Sequence, residues 1–221
     1  MNLELNSNNF FKKWEDISEE YVSKIVKDGI INTSEYKVIS PKILFICKEP
    51  NDPEQNPGDF REWWKEGAFG SFSYRISEWA FGLINNFPPF SEISKSNAYD
   101  SYLQKIALIN IKKIGGTGNA NHSEIMKHFL VSKELLKKQI QIINPEIIVL
   151  CLSFNYEIRQ ELFGFDFENC GYNIEVGKYE NYRIIDFYHP SSRNAPPAAY
   201  SLLQNVYKSE MFNELKNSFK N

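Results

Sequence analysis

The sequence predicts an α/β fold, specifically a three-layer α/β/α sandwich around a central four-stranded parallel sheet. Four short apolar runs predict its strands, at residues 42–47, 106–111, 146–151 and 182–187. Continuous apolar runs of this length are typical of strands that are buried on both faces. Segments expected to be helical separate the runs, and strands that alternate with helices form a parallel sheet with helices on both faces.

The helices follow from periodicity and composition. Residues 10–27 predict an amphipathic helix, because apolar side chains recur on one helical stripe at Phe10, Trp14, Ile17, Tyr21 and Ile25. Further helices are predicted over residues 73–85, 123–143, 155–163 and 198–219.

The sequence also predicts a helix cap, a long loop and the number of domains. Ser123 is the expected N-cap of the long helix. Residues 51–72 are rich in Pro, Gly, Asp and Trp, which predicts a long functional loop with a short helix. We expect one domain over residues 1–221, with residues 1–40 as an N-terminal helical segment packed on it.

Composition limits the classes of function. The net charge of −3 excludes a strongly basic nucleic-acid-binding protein, so any such surface is a local patch. Cys47, Cys151 and Cys170 form no CxxC pair and no metal-ligand spacing. We therefore predict no metal site and a reducing, cytoplasmic location. The first residues lack a signal-peptide pattern, and no apolar stretch is long enough to span a bilayer.

Polar side chains follow all four predicted strands. Glu49 follows the first strand, Asn110 lies at the end of the second, Ser153 follows the third, and His189 and Arg193 follow the fourth. In open parallel sheets ligands bind beyond the carboxyl ends of the strands. A carboxylate, an amide, an imidazole and a guanidinium on one rim predict a site that reads a planar polar ligand and breaks a bond to it.

These segments resemble the motifs of the uracil-DNA glycosylase superfamily. FICKEPND is similar to the water-activating motif, INIKKIGGTGN to the motif with asparagine at the end of the second strand, and DFYHPSSR to the closing His-Pro-Ser motif. GSFS, which contains Phe72, is similar to the segment that supplies a ring stacked on the base. The order of the motifs also matches, and they span most of the chain.

The resemblance implies a monofunctional DNA glycosylase that hydrolyses the N-glycosidic bond of a flipped base. It implies Glu49 and His189 as catalytic residues, and DNA as the partner of a protein that we expect to be a monomer. The residues implied to bind the base are Asn110, Phe72 and Asn51. The residues implied to contact the DNA backbone are Lys112, Lys113, Ser191 and Arg193.

Departures from the family pattern modify these expectations. Three cysteines cannot supply the four ligands of the iron–sulfur branch, so we expect no cluster and no other cofactor. Glu49 stands where the family carries aspartate, Cys47 replaces the motif glycine, and Asn51 replaces tyrosine or glycine. These changes predict a uracil-like, damaged or modified base as substrate, rather than uracil itself.

Each residue also has a structural interpretation. Glu49 and His189 could cap loops at the rim of the sheet, and Asn110 could be a turn amide. Phe72 could be a core ring, and Lys112 and Lys113 could belong to a solvated face. The alternative function is therefore a nucleic-acid-binding or nucleotide-binding module of the same fold that has weak catalytic activity or none.

Overall fold

A computed structural model of the chain describes residues 8–65, 67–117 and 119–217. The helices are α1 (Asn8–Ile17), α2 (Thr33–Val38), α3 (Phe60–Trp63), α4 (Gly70–Ile84), α5 (Glu92–Lys95), α6 (Ala98–Ser101), α7 (His122–Ile143), α8 (Tyr156–Phe163), α9 (Pro196–Tyr207) and α10 (Glu210–Asn217). The strands are β1 (Val26–Lys27), β2 (Gly29–Ile30), β3 (Ile43–Cys47), β4 (Gly58–Asp59), β5 (Ala107–Asn110), β6 (Ile147–Leu150), β7 (Phe167–Asn169), β8 (Glu175–Tyr179) and β9 (Tyr182–Asp186).

Among the described residues, the main sheet has seven strands in the order β2-β5-β3-β6-β9-β8-β7. Its four central strands, β5, β3, β6 and β9, are parallel to their neighbours in that group. Strand β2 pairs antiparallel at one edge, and β8 and β7 extend the other edge antiparallel. The predicted α/β class is confirmed, but the prediction of a four-stranded parallel sheet is corrected to a seven-stranded mixed one.

Apolar clusters cover both faces of this sheet. Within β3, Phe45 belongs to one cluster and Leu44 to the other, because successive strand residues point to opposite faces. Trp79 of α4 and Tyr200 of α9 belong to the first cluster, and Phe129 of α7 belongs to the second. Burial on both faces explains why the strands are continuously apolar.

The predicted N-terminal helix over residues 10–27 is wrong in its second half, since α1 ends at Ile17. Ser18 is extended, and its hydroxyl accepts a hydrogen bond from the backbone N–H of Glu20, which starts a separate 3₁₀ turn. Serine competes with the helical backbone in this way. Residues 1–40, predicted as an N-terminal helical segment, also contribute β2 to the main sheet. Residues 1–7 of that segment lie outside the described part of the chain.

The predicted C-terminal helix is divided into α9 and α10. The Ser209 hydroxyl accepts from the backbone N–H of Phe212 at 3.2 Å and caps the second helix. The last two residues of the prediction lie outside the described part of the chain. The cap of α7 is likewise Asn121 rather than Ser123, because the Asn121 side chain accepts from the N–H groups of Ser123 and Glu124.

The antiparallel hairpin of β8 and β9 was not predicted from the sequence. Tyr179 pairs with Tyr182, so the connection is only two residues long. Glu180 adopts a left-handed conformation there, with φ of 50°. Such turns usually carry glycine or asparagine at that position, so the sequence lacks the ordinary hairpin signal.

Candidate active site

A cleft opens where the parallel strands β3, β6 and β9 end. Its volume is about 600 Å³, which lies in the range of small-molecule sites. The lining comes from the loop after β3, from the α3–α4 region, and from the loops after β5, β6 and β9. The described residues that line it are Lys48, Glu49, Pro50, Asn51, Asp52, Phe60, Trp63, Trp64, Phe69, Gly70, Ser71, Phe72, Ser73, Thr117, Ala120, Ser153, His189, Ser191 and Ser192.

His189 follows β9 and is held with one nitrogen facing its own loop. Its Nδ1 accepts a hydrogen bond from the backbone N–H of Ser191 at 3.2 Å. Burial, assisted by the nearby positive charge of Lys48, lowers the pKa of His189 to about 4. The imidazole is therefore neutral at physiological pH, and because Nδ1 is an acceptor, its proton is on Nε2. His189 is prepared to donate a neutral hydrogen bond.

Glu49 is held in the wall of the cleft by an ion pair. One carboxylate oxygen accepts from Lys112 Nζ at 2.8 Å, and the Glu49 side chain is only 6% exposed. The carboxylate also packs directly on the backbone at Gly116, where an added Cβ would overlap it. A larger residue at this position would have to displace the Glu49 carboxylate, so glycine allows the GGTGN loop to pass closely against Glu49.

Phe72 and Asn51 lie in the same cleft. Phe72, near the start of α4, is half-buried between Trp64 at 6.2 Å and His189 at 5.7 Å between ring centroids. Asn51 is exposed and forms a parallel backbone bridge with Gly116. The structure therefore brings together five of the predicted site residues: Glu49, Asn51, Phe72, His189 and Ser191.

Asn110 is not brought together with them. It ends β5 opposite Cys47, is 1% exposed, and is absent from the described lining of the cleft. Its backbone N–H donates to the Asp28 carboxylate at 2.8 Å. Its side-chain Nδ2 is buried and has no hydrogen-bond partner among the described residues. Asn110, Glu49 and His189 therefore do not line one described cavity, and a role of Asn110 in binding the base stays a prediction.

Lys112 and Lys113, which were predicted to contact phosphates, are both buried and ion-paired with carboxylates. Lys113 is 0% exposed, and its Nζ donates to both oxygens of Asp28 at 2.8 and 2.9 Å. Burial lowers the pKa of Lys113, while the charge of Asp28 opposes that shift. Lys112 is also buried, against Glu49. Lysine is almost never fully buried unless it is paired, and both partners are distant in the sequence.

Arg193 lies in the exposed loop after His189 and outside the described lining of the cleft. A hydrogen bond from Arg75 Nη2 of α4 to the Asn194 carbonyl, at 3.1 Å, ties this loop to the helix. The contacts of Ser191 and Arg193 with a DNA backbone stay predictions.

Several residues of the cleft were missed by sequence analysis. Trp63 and Phe69 are 40% and 67% exposed at its rim, and the tryptophan-rich composition of residues 51–72 was the available signal. Ser153, which the sequence places after the third predicted strand, does line the cleft, and its backbone is left-handed with φ of 56°. Lys48 also lines the cleft, and the motif resemblance assigns it no role.

No protein-family model matches the chain, and no curated protein sequence is significantly similar to it. Within the described ranges, no group of three or more His, Cys, Asp or Glu side chains is arranged to hold a metal ion. None of the helices in the described part of the chain is both long enough and apolar enough to cross a membrane.

Proposed function

We propose that this chain is a DNA glycosylase with a uracil-DNA glycosylase-like fold. The observation that carries the proposal is the shared position of Glu49, His189 and Phe72 in one cleft at the carboxyl ends of the parallel strands. Four adjacent parallel strands with apolar clusters on both faces support the fold assignment. The family motifs support it independently.

The cleft contains the groups that cleavage of an N-glycosidic bond requires. The bond breaks through a sugar with oxocarbenium character, which the Glu49 carboxylate stabilises while it orients the attacking water. His189 donates from Nε2 to the negative oxygen that develops on the departing base. A preorganised donor of this kind contributes about 10²–10³ in rate. Phe72 stacks on the ring of the base.

We assign recognition of the base to Asn51 rather than to Asn110, which lies outside the described lining of the cleft. Asn51 supplies an exposed amide inside the cleft, with both a donor and an acceptor for one edge of a base. A base within a duplex must first leave the stack, at a cost of a few kcal/mol. Of the predicted backbone contacts, Ser191 and Arg193 offset this cost, since the ammonium groups of Lys112 and Lys113 are held by carboxylates.

One observation favours the alternative of a binding module without turnover. The Glu49 carboxylate is already ion-paired with buried Lys112. The positive charge of Lys112 repels a sugar cation that forms beside Glu49. In this alternative the cleft holds a base or nucleotide and leaves the glycosidic bond intact.

The test uses single-stranded and duplex oligonucleotides that each carry one uracil-like, damaged or modified base. Release of the base is detected as strand scission after alkali. We expect release of at least one base by the wild type, and its loss in Glu49→Gln and His189→Ala. Glu168→Gln, an exposed glutamate of β7, is the matched control and should behave like the wild type. Binding without release of any base would favour the binding module.

A further inference from the structure

Lys48 places a primary amine in the candidate active site. It directly follows β3 and directly precedes Glu49 in the chain. It lines the cleft and also a neighbouring side pocket of about 360 Å³, which includes Ala120, Ser153 and Phe154. Its positive charge is close enough to His189 to help lower the pKa of that imidazole. Lys48 therefore borders both cavities, and its charge interacts with both proposed catalytic residues.

The environment of Lys48 differs from that of the other two lysines near the strand ends. Lys112 Nζ is held by Glu49 and Lys113 Nζ by Asp28. Lys48 Nζ has no hydrogen-bond or ion-pair partner in the part of the chain that the structure describes. Burial lowers the pKa of Lys48, with the charge of Glu49 opposing the shift. Desolvation of this kind increases the fraction of neutral amine, which is the nucleophilic form.

We propose that Lys48 gives this chain a second activity, cleavage of the DNA strand at an abasic site through a Schiff base. This inference rests on the proposed function, because the abasic sugar is the product of base removal. It departs from the monofunctional reaction that the family resemblance implies, since hydrolysis of the glycosidic bond alone leaves the strand intact.

The reaction balances without an oxidant or a reductant. Lys48 Nζ attacks C1′ of the open-chain aldehyde form of the abasic sugar, a C–N bond forms, and the carbonyl oxygen leaves as water. Glu49 accepts a proton from C2′, and the electron pair forms the C2′–C3′ double bond. The C3′–O bond breaks, and the 3′ strand leaves with a 5′-phosphate. Water then hydrolyses the imine, which releases an unsaturated aldehyde and regenerates the Lys48 amine.

The test is borohydride trapping on an oligonucleotide that carries a preformed abasic site. Borohydride reduces the imine to a stable amine, so we expect a covalent protein–DNA adduct whose modified peptide contains Lys48. The adduct should be lost in Lys48→Ala and in Lys48→Arg, which keeps the charge but not the amine. Lys65→Ala, at an exposed lysine that is ion-paired with Glu62, is the control and should form the adduct.

A tetrahydrofuran analogue of the abasic site, which lacks the aldehyde, should give no adduct with any variant. Absence of the adduct, or its attachment to lysines other than Lys48, overturns the proposal. Mapping in the wild type decides this even if a variant fails to fold. Base release without trapping refutes the lysine activity alone, whereas trapping without release of any base supports it and leaves the glycosylase proposal refuted.

Discussion

Asp28 is the centre of a buried polar network behind the candidate site. Its carboxylate accepts from Lys113 Nζ at 2.8 and 2.9 Å, from the Asn110 backbone N–H at 2.8 Å and from Gln139 Nε2 at 2.9 Å. These contacts join β5, the loop after it and α7 to the segment between β1 and β2. We predict that Asp28→Ala strongly destabilises the fold.

The expected magnitude follows from the burial of the partner. Asp28→Ala leaves the fully buried Lys113 ammonium without a counter-charge, and breaking a buried pair on one side costs about 3–5 kcal/mol. For a chain of this size, each kcal/mol lowers the melting temperature by about 2–4 °C. The expected fall in melting temperature is therefore about 6–20 °C.

Urea denaturation followed by circular dichroism measures the free energy of unfolding of Asp28→Ala, Lys113→Met and the double variant. The double variant should be more stable than Asp28→Ala, because it leaves no uncompensated charge. Asp166→Ala, on an exposed aspartate, should stay within about 0.5 kcal/mol of the wild type. A loss below about 1 kcal/mol in Asp28→Ala, or a double variant that loses the sum of both single effects, would refute the reasoning.

Three further predictions concern the cleft. The His189 imidazole should titrate near pH 4 in an NMR experiment, because burial disfavours its charged form, and a midpoint at the ordinary value for histidine would contradict the neutral-donor assignment. Gly116→Ala should lower the free energy of unfolding by about 1–3 kcal/mol in urea denaturation, because the added Cβ overlaps the Glu49 carboxylate. Unchanged stability would show that the loop or the Glu49 side chain can shift. Phe72→Ala should weaken binding of single-stranded DNA, measured by fluorescence anisotropy, by about 5- to 150-fold, because the loss of one base–aromatic stack costs ~1–3 kcal/mol. Phe165 is 76% exposed and lies outside the described lining of the cleft, so Phe165→Ala should leave binding unchanged. Equal effects of the two phenylalanine variants would remove the stacking role.

Prediction from sequence succeeded where local pattern and burial agree. The apolar runs of β3, β5, β6 and β9 indicated strands because both faces of the sheet are covered, so no polar residue is needed along them. The order of polar residues after those strands then located the site, since parallel strands direct their carboxyl ends to one edge. Glu49 and His189 were found in this way.

Prediction from sequence failed where a side chain's surroundings come from distant parts of the chain. Lys112 and Lys113 are adjacent and were expected to contact phosphates or to lie on a solvated face, yet Lys112 lies against Glu49 and Lys113 against Asp28. The register of the sheet also buries Asn110 beside Cys47, away from the described lining of the cleft. Hydrophobic periodicity contains no information on such pairings, because they depend on which loops meet in space.

Local pattern alone thus determines the α/β class of this protein and the edge of the sheet at which His189 lies. Tertiary structure alone decides which lysines near that edge are buried in ion pairs and which face the cleft. Lys112 and Lys113 are neutralised by carboxylates and buried, whereas Lys48 faces the cleft with no such partner in the described ranges. The physical reason is that burying a charge is tolerated only beside an opposite charge, and the fold determines where those charges meet.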